Sequence, residues 1–120
     1  EEPFPPRAFH AAVSLNGSLW LLGGAARGAN HSVAPCAAAR ADFDCFLDST
    51  LPDVWRLPPQ LNPKWQAVTA QAAWPSRAMH GALAFGGRLW LLGGLGLTPG
   101  PAAQRQSLND VWASGDGAAW

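Results

Sequence analysis

Leu19-Trp20-Leu21-Leu22-Gly23-Gly24 is written a second time as Leu89-Trp90-Leu91-Leu92-Gly93-Gly94, seventy positions on. The same interval separates Arg7-Ala8-Phe9-His10 from Arg77-Ala78-Met79-His80, so the spacing between these blocks is kept within each copy. A third block, Leu51-Pro52-Asp53-Val54-Trp55, returns as Leu108-Asn109-Asp110-Val111-Trp112 after only fifty-seven positions. The first copy therefore carries an insertion between its glycine pair and its Asp-Val-Trp. A tryptophan follows each third block, Trp65 and Trp120. Four landmarks in one order, twice over, are an internal repeat, and a repeat decides the architecture before any local propensity does.

Each landmark has a local physical reading. Asn16-Gly17 stands between two short runs, 10–15 and 18–22, and both turn residues tolerate positive φ, which is the strongest short hairpin signal. Gly86-Gly87 does the same between 79–85 and 88–92. The first strand of each hairpin is built of small residues (Ala11, Ala12; Gly81, Ala82, Ala84), and the glycine pairs close the second strand where backbone must bend or approach other backbone. Asp-Val-Trp reads as a third strand and 64–69 as an edge-like fourth. Apart from a turn within 37–42, no stretch has helical periodicity. Each copy is expected to be a four-stranded antiparallel meander, the first spanning 1–71 with a long strand 2–3 insertion at 25–50, the second 72–120.

The order Arg-x-x-His, small-residue strand, turn, Leu-Trp-Leu-Leu-Gly-Gly, Asp-Val-Trp, then Trp resembles the kelch repeat, in the extracellular-type version that reads Asn-Asp-Val-Trp, Ser, Asp-Gly, Trp. The likeness covers 5–120; where many kelch repeats carry Tyr in the third strand, this chain has Trp55 and Trp112. It implies an all-β fold: two kelch blades of a larger β-propeller, the second lacking most of its fourth strand. Propellers close with four to eight blades, so the remaining blades are expected partners. The repeated Arg7, His10, Trp20, Gly23, Gly24, Trp55, Trp65 and Arg77, His80, Trp90, Gly93, Gly94, Trp112, Trp120 then have structural roles. For His10 and His80 that role is blade-to-blade hydrogen bonding; for the tryptophans it is inter-blade packing rather than a sugar platform. Asp53 and Asp110 are expected to accept from backbone N–H groups. Ser114-Gly115-Asp116-Gly117-Ala118-Ala119-Trp120 is similar to the Asp-box of sialidase-like propellers, one residue short, and reads as a turn at Asp116-Gly117.

Composition narrows the function. Formal net charge is zero and only 13% of residues are charged. Arg7, Arg27, Arg40, Arg56, Lys64, Arg77, Arg88 and Arg105 are spread singly, at expected solvated loop and edge positions. A phosphate-tracking nucleic-acid binder needs its basic residues gathered on one face. No apolar run approaches the ~20 residues that span a bilayer, and Glu1-Glu2-Pro3-Phe4-Pro5-Pro6 has neither the basic nor the apolar part of a signal peptide.

Irregular sequence concentrates at 25–50 and 95–107, and long loops on a rigid scaffold are where binding residues gather. Cys36 and Cys45 sit in the first of these with no counterpart in the second copy. They suggest a disulfide worth about 2–3 kcal/mol in an oxidising compartment. Free thiols, or a metal site with His31, Asp42 and Asp44, are the alternatives, though the spacing fits no standard zinc pattern. Asn30-His31-Ser32 is a glycosylation sequon; Asn16-Gly17-Ser18 is another, but its turn is explained without a glycan. Sequon and cysteine pair together favour an extracellular, cell-surface or lumenal protein. Trp74, before Pro75, lies on a lead-in loop of the same face. The expected function is non-catalytic: a scaffold presenting 25–50 and 95–107 to a protein or glycan, with no cofactor, no nucleic acid and no membrane insertion. The rival is part of a galactose-oxidase-like copper-radical oxidase propeller, from the same superfamily; that chemistry needs tyrosines, of which the chain has none, so its active-site residues would lie outside this segment.

Overall fold

The computed structural model describes residues 3–26, 50–97 and 105–120. They form ten strands and, among the described residues, no helix. In chain order these are β1 Arg7–Ala8, β2 Ala11–Leu15, β3 Ser18–Leu22, β4 Ala25–Ala26, β5 Val54–Leu57, β6 Gln66–Thr69, β7 Arg77–Ala78, β8 Gly81–Phe85, β9 Arg88–Leu97 and β10 Arg105–Ser114. The fold is all-β, and every pairing between them is antiparallel.

The first sheet runs β2-β3-β5-β6, a four-stranded meander in sequence order. The second joins β8, β9 and β10 in the same succession and adds β7 along the far end of β9. Registers correspond: Val13 faces Trp20 as Leu83 faces Trp90, and Leu22 faces Val54 as Leu92 faces Val111. Both hairpins turn on two left-handed residues, Asn16 and Gly17 at φ 51° and 73°, Gly86 and Gly87 at 58° and 72°. This mirror-image turn matches the right-handed twist of its strands. The short lead-in strands also match, since Arg7 pairs with Ala26 as Arg77 pairs with Gly96.

Two expectations about strand ends need correcting. The first glycine pair does close β3, but β9 runs on through Gly93-Gly94 to Leu97, so 95–97 and 105–107 belong to a hairpin rather than to a loop. A β-bulge between Leu108 and Val111 lets β10 follow the bend, one extra residue re-aiming the chain as bulges do. Likewise Ala25, Ala26 and Thr50 are paired, which leaves 27–49 and 98–104 as the connections outside the described residues.

The core lies between the sheets. One face of the first (Val13, Trp20, Leu22, Val54) meets the opposite face of the second (Leu89, Leu91), with Ala82 and Trp112 packed against them and Trp74 sealing the seam. Side chains alternate across a strand, so Leu89 and Leu91 point into this seam while Trp90 and Leu92 point away.

Candidate functional site

Where the strands turn back after the glycine pairs, each copy builds the same polar node. Arg7 forms a bidentate pair with Asp53, at 2.7 and 2.9 Å, and also donates to the Gly23 carbonyl at 3.0 Å. The Trp55 indole N–H donates to the same Asp53 carboxylate at 2.7 Å. In the second copy Arg77 pairs with Asp110 at 2.6 and 2.7 Å and donates to the Gly93 carbonyl at 2.8 Å, while Trp112 donates to Asp110 at 2.7 Å. Each arginine also reaches the carbonyl two residues before it, Pro5 or Pro75. A guanidinium is a planar fork that fits a carboxylate edge-on, and these two have nearly every donor placed.

The node overturns two sequence expectations. Asp53 and Asp110 receive arginine and tryptophan side chains, rather than serving mainly as acceptors for loop N–H groups. Arg7 and Arg77 are buried, their side chains 2% and 0% exposed, instead of solvated. The hydrogen bonds of the Arg77 guanidinium, with help from Trp112, hold the Asp110 carboxyl down at about 2.

The glycine pairs permit this crowding. Gly24 and Gly94 sit at φ 98° and 99°, and a Cβ on either would fall 2.8–2.9 Å from the carbonyl of Ala8 or Ala78 and from the Cβ of His10 or His80. Only glycine fits the close approach.

The bases of both connections are tied to these nodes and to each other. Ala25 bridges to Thr50 and Leu51 to Arg77, which in turn pairs with Gly96. The Thr50 and Ser76 hydroxyls are 3.0 Å apart, and the Gly24 N–H donates to the Arg77 carbonyl at 3.0 Å. The strands from which the chain enters 27–49 (β4) and 98–104 (β9) are thus linked to one another through Thr50-Leu51 and β7. Cys36, Cys45, Asn30, His31, Asp42 and Asp44 lie outside the described residues.

His10 and His80 occupy matched positions in different surroundings. His80 is buried between the sheets, where Gly23 packs against its ring. Neither of its nitrogens has a hydrogen-bond partner of acceptable geometry among the described residues, although the Leu22 carbonyl lies close enough to act on its titration. Hydrogen bonds between the two copies run instead through the backbone, Gly24 to Arg77 and Met79 to Phe9, and through the Thr50 and Ser76 hydroxyls. Burial, then the charges of Arg77 and His10, push His80 down to about 4 against the Leu22 carbonyl's opposing pull. His10 is exposed and is lowered in the same direction, by burial of part of its ring and by Arg7.

The tryptophans divide similarly. Trp20 is buried in the seam under the Gly117 turn, whereas Trp90 is half-buried and donates to the Phe85 carbonyl. Trp74 meets Trp120 edge-on at 6.0 Å, as Phe4 meets Trp65 at 5.3 Å. Arg77 lies over Trp74 and Arg7 over Phe4. Phe4-Pro5 and Trp74-Pro75 are thus a fifth repeated landmark, legible in the shared prolines and overlooked because the aromatic residue changes. The turn at 114–120 is knit by its own polar groups: Asp116 accepts from the N–H of Ala118 and Ala119, Ser114 from that of Gly117, and Trp120 donates to the Gly117 carbonyl. The first two contacts lead those that lower the Asp116 carboxyl.

Fold and node together define an all-β protein of two like-built antiparallel sheets joined along a hydrophobic seam. No protein-family model matches the chain, and a search of curated proteins finds no significant relative.

Proposed function

We propose that the chain is a non-catalytic kelch-type propeller module of an extracellular or cell-surface protein, two neighbouring blades of a larger ring. In this reading 27–49 and 98–104 recognise a protein or glycan, with a Cys36–Cys45 disulfide and a glycan at Asn30 in the first. The observation that carries it is the tying of the bases of both connections to one another through Thr50, Leu51, Ser76 and Arg77. A paired base under two segments whose sequences do not repeat is the arrangement of a binding surface on a repeat scaffold. The nodes support a scaffolding role, because their arginines and aspartates are spent on one another and on backbone, leaving no group poised for chemistry there.

The test replaces 27–49 by a short Gly-Ser linker in protein secreted from eukaryotic cells. Binding to an array of glycans and receptor ectodomains is expected to vanish while the melting temperature stays within a few degrees. Undiminished binding would end the reading. Intact mass before and after reduction and deglycosylation reports the disulfide and the glycan separately.

A further inference from the structure

His80 stands where the two copies meet, and its imidazole is a polar group in apolar company. The residue is 8% exposed and Trp74 beside it 1%, with ring centroids 6.4 Å apart. From the first copy, a Cβ on Gly23 would lie 3.1 Å from its Cε1. Both imidazole nitrogens and the Trp74 indole nitrogen are buried with no hydrogen-bond partner among the described residues. The residues just before His80 carry backbone hydrogen bonds between the copies. The Gly24 N–H donates to the Arg77 carbonyl at 3.0 Å, and the Met79 N–H to the Phe9 carbonyl at 2.9 Å. His10, the equivalent in the first copy, is exposed.

A protonated imidazole has two donors and a charge, and a buried charge is tolerated when it is paired and hydrogen-bonded. The charged groups that act on His80 are Arg77 of its own copy and His10 of the other, and both oppose a positive charge. Arg77 brings no free carboxylate with it, because Asp110 is already held by Arg77 and Trp112. Leu22, Gly23 and Trp74, which lie against the ring, carry no acid or base, although the Leu22 carbonyl favours the charged form. Water is left to solvate the charge, and reaching it requires the copies to part.

We propose that His80 is an acid-sensitive latch: its protonation parts the two copies at the Gly24–Arg77 and Met79–Phe9 hydrogen bonds, while each sheet keeps its own strands and its Arg–Asp node. The pair of Arg77 with Asp110 survives this acidification, since Asp110 stays ionised down to about 2. The sign follows from linkage. In the seam His80 stays neutral down to about 4, and freed into water it protonates near 6.5. Between these values the open form takes up the proton and the closed form does not, so the opening constant grows about tenfold for each unit of pH lost. A histidine set in this way converts acidification into a change at an interface. The inference concerns the seam and is independent of what 27–49 and 98–104 bind.

The experiment is amide hydrogen exchange by NMR on the full chain between pH 4 and 8, with each rate divided by the intrinsic rate at that pH. Protection of the Gly24 and Met79 amides is expected to fall about tenfold per unit below about 6.5. It should lie well below that of the β3 and β9 amides paired within the hairpins, with far-UV circular dichroism unchanged. His80→Gln should make the protection of Gly24 and Met79 independent of pH over this range, whereas His10→Gln should leave most of the dependence. The wild-type His80 ring resonances need no variant, and their titration midpoint should lie well below that of His10. Flat wild-type protection, a His80 midpoint equal to that of His10, or a His80→Gln variant with wild-type dependence would each overturn the inference. So would seam and hairpin amides that lose protection together, since acid would then be unfolding the chain rather than opening the seam.

Discussion

The two sheets share their hairpin sequence, registers, turn geometry and polar nodes, yet equivalent side chains live in different solvents. Leu22 is sealed and Leu92 is not; Val54 is sealed and Val111 is not. Nothing local distinguishes them, since the strand around each is Leu-Trp-Leu-Leu or Asp-Val-Trp in both copies. What differs is the neighbour: the first sheet has the second against that face. Stability in this chain is accordingly of two kinds. The nodes and hairpin turns are internal to each copy and occur twice, while the seam belongs to the pair and occurs once.

The nodes give the largest expected effects. Removing one partner of a buried ion pair strands the other charge, at a cost of about 3–5 kcal/mol. Asp53→Ala leaves Arg7 buried without its carboxylate, and urea unfolding should show a loss in that range. Asp110→Ala should cost less, because Asp110 is 33% exposed against 14% for Asp53 and water can enter to solvate Arg77. Equal losses in the two variants would mean that solvent access does not separate the nodes.

The seam separates the sheets more sharply. Leu22→Ala opens a cavity in the core and is expected to cost about 2–5 kcal/mol. Leu92→Ala should stay within about 0.5 kcal/mol, as surface changes do. A Leu92→Ala loss as large as that of Leu22→Ala would show that something covers the outer face even in the isolated chain.

The histidines carry the same contrast into pH. His80 is held neutral in the folded seam down to about 4, whereas in the unfolded chain it protonates near 6.5. Between these values the unfolded state binds more protons, so stability rises with pH there. It should be complete above 6.5 and fall on acidification by up to roughly 3 kcal/mol near pH 4. His80→Gln should flatten that slope, whereas His10→Gln, at the exposed equivalent, should leave most of it. Asp110, depressed by Arg77, loses its contribution only as pH falls from the ordinary carboxylate range toward about 2, a separate window. Melting temperatures between pH 4 and 8 check the sign; a flat wild-type profile would contradict the burial of His80.

Strands, turns and the sheet order were legible because they are written locally, in Asn16-Gly17, Gly86-Gly87 and the apolar runs beside them. The glycine pairs were legible as places of close approach, though not that β9 would run through its pair while β3 stops. The nodes were not legible. Arg7 and Asp53 lie 46 residues apart, and a repeat says that Arg7 resembles Arg77 and Asp53 resembles Asp110 without saying that either meets the other. The unequal burial of equal residues was beyond sequence altogether, since it arises from which sheet has a neighbour. The candidate binding segments were visible only as irregularity at 25–50 and 95–107, and pairing narrows them to 27–49 and 98–104.

A final contrast tests the seam through a turn. Gly87 and Gly117 both have positive φ, 72° and 78°, so alanine at either meets a similar backbone penalty of about 1 kcal/mol. Their surroundings differ: nothing lies within 4 Å of a Cβ on Gly87, while one on Gly117 would overlap the Trp20 ring. Gly117→Ala must therefore move the indole or lift the turn off the first sheet, and overpacking of this kind adds about 1–3 kcal/mol. The difference between the two variants in urea unfolding isolates what the turn's contact with Trp20 contributes. If Gly117→Ala costs no more than Gly87→Ala, the turn does not rest on Trp20, and the seam ends at Leu89 and Leu91.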